Sequence, residues 1–127
     1  MIKYEKRDKN YIVTEAISIK TDIRPDKAIS NKYSSMTKGG KITLFPGFIW
    51  DGATGALVTP KIMQASAFHD ACCDWYNEGL LTKFQRKQAD KTFKGQLKEA
   101  GMWSLRVKWV YQAVRKFFEF KEWFKGA

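Results

Sequence analysis

Histidine, cysteine and proline are scarce in this chain, and each scarcity narrows the chemistry open to the protein. The 127 residues include one histidine, two cysteines and three prolines. The cysteines, Cys72 and Cys73, are adjacent, and a bond between neighbours in a helix would be badly strained. We therefore expect no disulfide framework, which suits a reducing cytoplasm. One histidine and two adjacent cysteines also make a poor tetrahedral set for zinc.

Long apolar runs are absent as well. No uninterrupted apolar run approaches the roughly 20 residues that a membrane-spanning helix needs. The charges of the first segment, MIKYEKRDKNYIV, are followed by no apolar stretch of the length found in signal peptides. We therefore expect neither a transmembrane segment nor a signal peptide. The length favours a single domain over residues 1–127.

Acidic residues are outnumbered overall, but not everywhere. The chain has 23 Lys and Arg against 13 Asp and Glu, a formal net charge of +10. Between Pro46 and Thr82 the balance reverses, because four acidic residues face a single basic one, Lys61. From Lys83 to Lys125 twelve basic residues stand against four acidic ones. Such a basic surface either serves solubility or meets an anionic partner, which would be a phospholipid surface or nucleic acid.

Hydrophobic patterning predicts an α+β fold. Alternating and β-branched segments at 11–19 and 41–45 indicate strands, with a weaker strand at 28–36. Segment 45–57 carries three glycines and a proline and is expected to be a strand end that runs into an ordered loop. Helices are expected at about 60–77, 82–101 and 102–124, with Thr59 and Thr82 as caps. The predicted architecture is a small antiparallel sheet followed by three helices.

The segment SAFHDACCDWYNEG carries the residues best suited to chemistry, His69 and Asp70 among them. On the second helix, Asp90 lies on or beside the apolar stripe, since Phe93 and Leu97 follow it at i+3 and i+7. A carboxylate in that position is costly unless another group pairs with it. We therefore predict a contact between His69 and Asp90 across an antiparallel helix pair. Asp90 would fix the tautomer of the ring and stabilise the imidazolium.

The sequence offers few other residues that could take a catalytic role. The chain has no G-x-S-x-G elbow, and a cysteine inside a helix is more often a core residue than a nucleophile. What remains is a base that activates water, together with an electrophile that holds the oxyanion. Asp51, Asp70 and the carbonyl groups of the glycine-bearing loop offer hard oxygen ligands, the set that calcium prefers.

The motif H-D-x-C-C with a tyrosine downstream resembles the helix signature of the phospholipase A2 superfamily. The resemblance implies that His69 activates water, that Asp70 binds calcium and that Asp90, on the following long helix, orients His69. The segment W-D-G-A-T-G is similar to the calcium loop of the prokaryotic branch, which makes Asp51 the second carboxylate ligand. The resemblance also implies a phospholipase A2-like antiparallel helix pair. The residues expected to support this site are Tyr76, Arg86 and Gly52.

A second resemblance covers residues 41–118. The pattern G-F-x-x-D-G-A-(S/T), H-D, R-x-x-A-D-x-x-F and a terminal V-R helix is similar to that of a phage and prophage family of unknown function. In this chain the pattern is formed by Gly47-Phe48, Asp51-Gly52-Ala53-Thr54, His69-Asp70, Arg86, Ala89-Asp90, Phe93 and Val114-Arg115. This resemblance implies a protein of the infected bacterial cytoplasm, either free or associated with the virion.

The third predicted helix has aromatic and aliphatic residues on more than one face, interleaved with basic residues that include Arg115. One stripe is expected to be core: Val107, Val110, Val114 and Phe117. From Phe118 onward the apolar surface exceeds what a small domain can cover. We expect that end to contact an anionic phospholipid surface or a phage or host protein, and nucleic acid is disfavoured because no binding module is present. The residues assigned to this surface are Phe118, Phe120, Trp123, Phe124, Lys116 and Lys121.

Two functions of different classes remain open on the sequence. The first is a phage-type, phospholipase A2-like hydrolase, in which water activated by His69 attacks an ester with calcium assistance at an anionic lipid surface. The second is a non-catalytic virion, tail-associated or host-interaction protein. In that case His69 and Asp90 would form a buried pair that fixes helix packing.

Overall fold

A computed structural model describes residues 1–52, 59–102 and 104–126, and for residues 104, 105 and 124–126 it describes the backbone alone. Within these residues the predicted α+β class is confirmed, because antiparallel strands in two sheets precede three helices. The strands are β1 (Tyr4–Arg7), β2 (Asn10–Val13), β3 (Ile17–Lys20), β4 (Ile29–Ser30), β5 (Ser34–Met36), β6 (Lys41–Leu44) and β7 (Ile49–Trp50). The helices are α1 (Pro60–Asn77), α2 (Lys83–Glu99) and α3 (Ser104–Gly126). No helix in the described ranges combines the length and the apolar character needed to cross a bilayer.

The strands form two sheets, whereas the sequence pattern predicted one. One sheet has the order β1-β2-β7 and the other has the order β3-β6-β5-β4. The prediction of a continuous strand over 11–19 is wrong, because the chain leaves the ladder after Val13 and its two halves pair in different sheets. Segment 28–36 likewise divides into β4 and β5, which form a hairpin. β1 was not predicted, and β7 lies inside the segment that was expected to be a loop.

The three predicted helices are confirmed, and their ends differ from the prediction by at most two residues. Thr59 accepts a hydrogen bond from the N–H of Ile62 at 3.3 Å and caps α1. The predicted capping box of α2 is present, since Thr82 and Gln85 each accept a hydrogen bond from the backbone N–H of the other. Gly79 ends the turn after α1 with a φ of +80°, a conformation that favours glycine.

Two hydrophobic clusters hold the elements together and place the helices. The larger cluster packs the sheets against α1 through fully buried side chains such as Trp50 and Trp75. The smaller cluster joins Ile62 at the start of α1 to Leu97 at the end of α2, and Val107 brings α3 to the same point. Because the start of one helix meets the end of the next, α1 and α2 run antiparallel. Their likeness to the helix pair of the phospholipase A2 superfamily stays a prediction.

Leu97 tests the packing of the three helices. Its side chain is 1 % exposed, and we expect Leu97→Ala to lower the free energy of unfolding by about 3 kcal/mol because the truncation leaves a cavity. Leu80→Ala is the matched control, since Leu80 is 46 % exposed and its loss should stay within about 0.5 kcal/mol. Urea denaturation of both variants measures the difference. Equal losses would contradict the burial of Leu97 between the helices.

Candidate functional site

The predicted contact between His69 and Asp90 is confirmed. Nε2 of His69 lies 2.6 Å from Oδ1 of Asp90, a short hydrogen bond between facing sides of α1 and α2. Asp90 is completely buried, and the side chain of His69 is 13 % exposed. Because an ionised carboxylate can only accept, the Nε2–H group of His69 is the donor. The ring is therefore held in one orientation and one tautomer.

Asp90 has two further partners, and both are guanidinium groups. Arg86, one turn earlier on α2, donates from Nη1 to Oδ1, the same oxygen that His69 contacts. Arg115 on α3 donates from Nη1 to Oδ2 at 2.8 Å. Both arginine side chains are largely buried. A single carboxylate therefore connects all three helices, and we call these four residues the Asp90 cluster.

The two guanidinium groups change the electrostatics that the sequence led us to expect. Asp90 was expected to stabilise an imidazolium, but Nη1 of Arg86 also lies 3.2 Å from Nε2 of His69. Burial, followed by the positive charge of Arg86, lowers the pKa of His69 to about 3. The ring is therefore neutral at physiological pH. Arg86 and Arg115 neutralise Asp90, so the resting site contains no imidazolium.

The other ring nitrogen of His69, Nδ1, faces Cys73 on the next turn of α1. The Sγ atom of Cys73 lies 3.7 Å from Nδ1, and Phe93 stacks on the ring with 4.7 Å between the centroids. Burial raises the pKa of the Cys73 thiol to about 11, and burial also raises the pKa of Cys72. Both cysteines are therefore protonated thiols, which are poor nucleophiles. Nδ1 is the nitrogen that carries the lone pair.

An acidic neighbourhood adjoins His69 along the chain. Asp70 is half-buried, and burial followed by the charges of Asp74 and Asp51 raises its pKa to about 7. Asp51 and Asp70 therefore lie close enough for their charges to interact. Carboxylate oxygens have the chemistry that a hard cation prefers.

The predicted calcium ligands are only partly within the described residues. In residues 1–52, 59–102 and 104–126, no group of three or more His, Cys, Asp or Glu side chains converges to hold a metal ion. The glycine-bearing loop continues into residues 53–58, so most of its predicted carbonyl ligands lie outside the described residues. Asp51 and Asp70 thus supply suitable oxygen atoms but do not complete a coordination sphere by themselves.

Two of the residues expected to support the site have structural roles. Gly52 has a φ of +83°, and a Cβ atom there would come within 2.5 Å of the ring of Tyr11. Glycine is therefore required directly after Asp51, where the chain leaves β7. Tyr76 packs edge-on against Phe118, with 5.2 Å between the ring centroids. Tyr76 thus helps to seat α3 against the helix pair.

The structure corrects the predicted surface of α3 at two positions. Phe118 is 9 % exposed, and its ring packs against the guanidinium groups of Arg86 and Arg115 at 5.0 and 4.9 Å. Phe117, which was expected in the core, is 61 % exposed. The reason is helical phase, because the core-facing stripe continues from Val114 to the residue four positions later. The remaining predicted surface residues in the described side chains are exposed: Phe120, Trp123, Lys116 and Lys121. The side chain of Phe124 lies outside the described residues.

Arg115 is the site residue that sequence reasoning missed. The sequence placed it only among the basic residues interleaved along the third helix and in the V-R pattern, whereas its guanidinium group binds the buried carboxylate of Asp90. A signal was present in the spacing, because Arg115 follows Val114 and precedes Phe118 by three positions on the apolar side of α3. A cation on such a side needs a buried acidic partner. Asp90 on the second helix meets that need.

Removing the charge of Asp90 tests its part in helix packing. Asp90→Asn leaves the buried guanidinium groups of Arg86 and Arg115 without a carboxylate, and we expect it to lower the free energy of unfolding by about 4 kcal/mol. Asp74→Asn is the control, because Asp74 is exposed and its change should stay within about 0.5 kcal/mol. Denaturant unfolding of both variants measures the two changes. A loss at Asp90 no larger than the loss at Asp74 would contradict the cluster.

The comparisons with known proteins give no further information on this site. A scan against protein-family models, a search of curated proteins and a search of solved structures found no match to the chain. The resemblances to the phospholipase A2 superfamily and to the phage family rest on the motifs alone.

Proposed function

We propose that this protein is a phage-type, phospholipase A2-like hydrolase in which His69 activates water. The observation that best supports the proposal is the 2.6 Å hydrogen bond from His69 to Asp90. This bond makes Asp90 a positioning residue, since it holds the proton on Nε2 and leaves the lone pair on Nδ1. A fixed imidazole whose Nδ1 lone pair faces only the weak Sγ–H donor of Cys73, next to a carboxylate pair, is an arrangement suited to ester hydrolysis.

In this mechanism the neutral ring of His69 takes a proton at Nδ1 from a water molecule whose oxygen attacks the ester carbonyl carbon. The bond from that carbon to the alcohol oxygen then breaks, and His69 returns the proton to the departing oxygen. The products are a free carboxylic acid and the remaining alcohol.

Asp51 and Asp70 are the residues that would hold calcium. The bound ion would supply positive charge to the oxyanion that forms on the ester. Burial, followed by the charges of Asp74 and Asp51, raises the pKa of Asp70, and a cation held by the carboxylates would relieve the part due to charge. Gly52 keeps the backbone next to Asp51 in a conformation that other residues rarely adopt.

An anionic phospholipid surface is the partner that the exposed side of α3 supports. Trp109, Phe117, Phe120 and Trp123 are exposed along this helix, and Lys116 and Lys121 lie among them. The ammonium group of Lys121 lies 4.6 Å from the ring centroid of Phe117. Aromatic rings at the headgroup level with lysines beside the phosphates are typical of helices that lie in a membrane interface.

A second candidate function is favoured by a different observation. Asp90 is bonded by His69, Arg86 and Arg115, which come from three different helices. In a non-catalytic virion, tail-associated or host-interaction protein, this cluster would serve only to fix α3 against the helix pair. The exposed side of α3 would then be the contact surface for a phage or host protein.

Ester release from vesicles of phosphatidylcholine and phosphatidylglycerol tests the hydrolase. We expect the wild-type protein to release fatty acid in calcium, and His69→Gln to reduce the rate by at least about 100-fold, because glutamine cannot accept the proton. Thermal unfolding of His69→Gln shows whether the variant is folded. A folded His69→Gln protein with full activity would rule out His69 as the base. A wild-type protein without activity would leave the second candidate function.

Calcium should stabilise the protein if Asp51 and Asp70 bind it. At a calcium concentration 100 times the dissociation constant, we expect the free energy of unfolding to rise by about 2.7 kcal/mol. Asp70→Asn should abolish this rise, whereas Asp74→Asn, one turn along α1, should keep most of it. Thermal unfolding in calcium and in a chelator measures the effect. The same melting temperature in both conditions would contradict a calcium site.

A further inference from the structure

One face of α2 carries a row of lysines that neither the Asp90 cluster nor the exposed side of α3 includes. The members of this lysine row are Lys83, Lys87, Lys91, Lys94 and Lys98. Spacings of three and four residues place all five within an arc of about 80° along about 22 Å of helix. The two acidic residues of α2 lie outside this arc, since Asp90 points inward and Glu99 lies on another side.

The lysine row has no carboxylate partners in the described part of the chain, where none of its ammonium groups forms an ion pair. Four members are exposed, and Lys94 lies 5.0 Å over the ring of Tyr111 on α3. Like charges at i and i+4 destabilise a helix. The five lysines repel one another along four turns of α2, and an anionic surface that lies against them stabilises the row.

The kind of cation indicates the kind of partner. Arg86 of α2 and Arg115 of α3 are largely buried and bind Asp90, and the cations of the outer row are lysines alone. Arginine is the residue suited to forked recognition of single phosphates, as in nucleic-acid grooves. Lysine is a point charge on a flexible stem, which suits a diffuse negative surface such as a bilayer.

An exposed aromatic ring stands at the first turn of the lysine row. Phe84 is 68 % exposed, and it borders a cleft of about 400 Å³ together with Lys87, Lys91 and Asp22. A phenyl ring beside lysine side chains can enter the boundary between headgroups and acyl chains while the lysines stay among the phosphates. Phe84 thus adds an apolar contact to the electrostatic one.

We propose that the lysine row docks this protein on bilayers rich in anionic phospholipid. The ammonium groups of the row contact the headgroup phosphates, and Phe84 inserts at the acyl boundary. This docking is a property of α2, so it does not depend on ester hydrolysis at His69. It assigns to α2 the electrostatic attraction to the membrane, next to the aromatic contact proposed for α3.

Vesicles of ether-linked phosphatidylcholine and phosphatidylglycerol are the probe, because ether lipids contain no ester to cleave. The test variant combines Lys87→Gln, Lys91→Gln and Lys98→Gln. The matched control combines Lys9→Gln, Lys38→Gln and Lys41→Gln, which remove the same charge from exposed positions outside the helices. Co-sedimentation in 0.1 M salt, where the Debye length is about 10 Å, gives the affinity of each protein. Glutamine has nearly the helix propensity of lysine, so the test variant should melt no lower than the wild-type protein.

We expect the test variant to bind vesicles about 100-fold more weakly than the wild-type protein. The control should lose no more than about threefold, because charges more than a Debye length away are screened. Equal losses in the two triple variants would overturn the proposal, since net charge alone would then explain binding. The proposal would also be overturned if the test variant lost affinity for a DNA duplex but kept it for vesicles. Because the ether lipids contain no ester to cleave, a failure of hydrolysis leaves this test unaffected.

Discussion

The burial of one carboxylate, Asp90, is the constraint on which the rest of the helical half depends. Removing a charge from water costs several kcal/mol, and the cost is recovered only when partners surround the charge with good geometry. His69 comes from α1, Arg86 from α2 and Arg115 from α3, so the three helices have to meet at this carboxylate. The apolar cluster around Leu97 closes the same junction farther along the helices. Neutralising the charge of Asp90 thus fixes both the packing of the three helices and the orientation of the His69 ring.

The same neutralisation limits the chemistry of the ring. Asp90 orients His69, yet the guanidinium group that completes the pairing also lowers the pKa of the imidazole to about 3. The ring of His69 is thus held in place, but it is a weaker base than a free imidazole. The hydrolase proposal therefore depends on calcium at Asp51 and Asp70 to activate the ester, because the His69 ring by itself is a weak base. The non-catalytic alternative needs only the packing, so the two functions make opposite demands on residues outside the cluster.

The distribution of cations follows from the same junction. Arginine neutralises the buried carboxylate, and the cations on the outer face of α2 are all lysines. The acidic centre of the chain and the basic helices that follow it then have separate tasks, with the carboxylates near His69 and the ammonium groups directed outward. On α3 the rings of Phe117 and Phe120 are exposed, whereas the ring of Phe118 packs on the two arginines. Both outer faces are suited to an anionic bilayer.

The sequence by itself determined the helices and the partner of His69. The caps at Thr59 and Thr82 are contacts between residues three positions apart, and Asp90 stands on an apolar side where a partner is obligatory. Only the tertiary structure decided that 11–19 is divided between two sheets, that Arg115 joins Asp90, and that Phe118 is buried while Phe117 is exposed. These outcomes depend on contacts between elements far apart in the chain. Local spacing therefore cannot specify them, because it records which side of an element a residue occupies and not what that side meets.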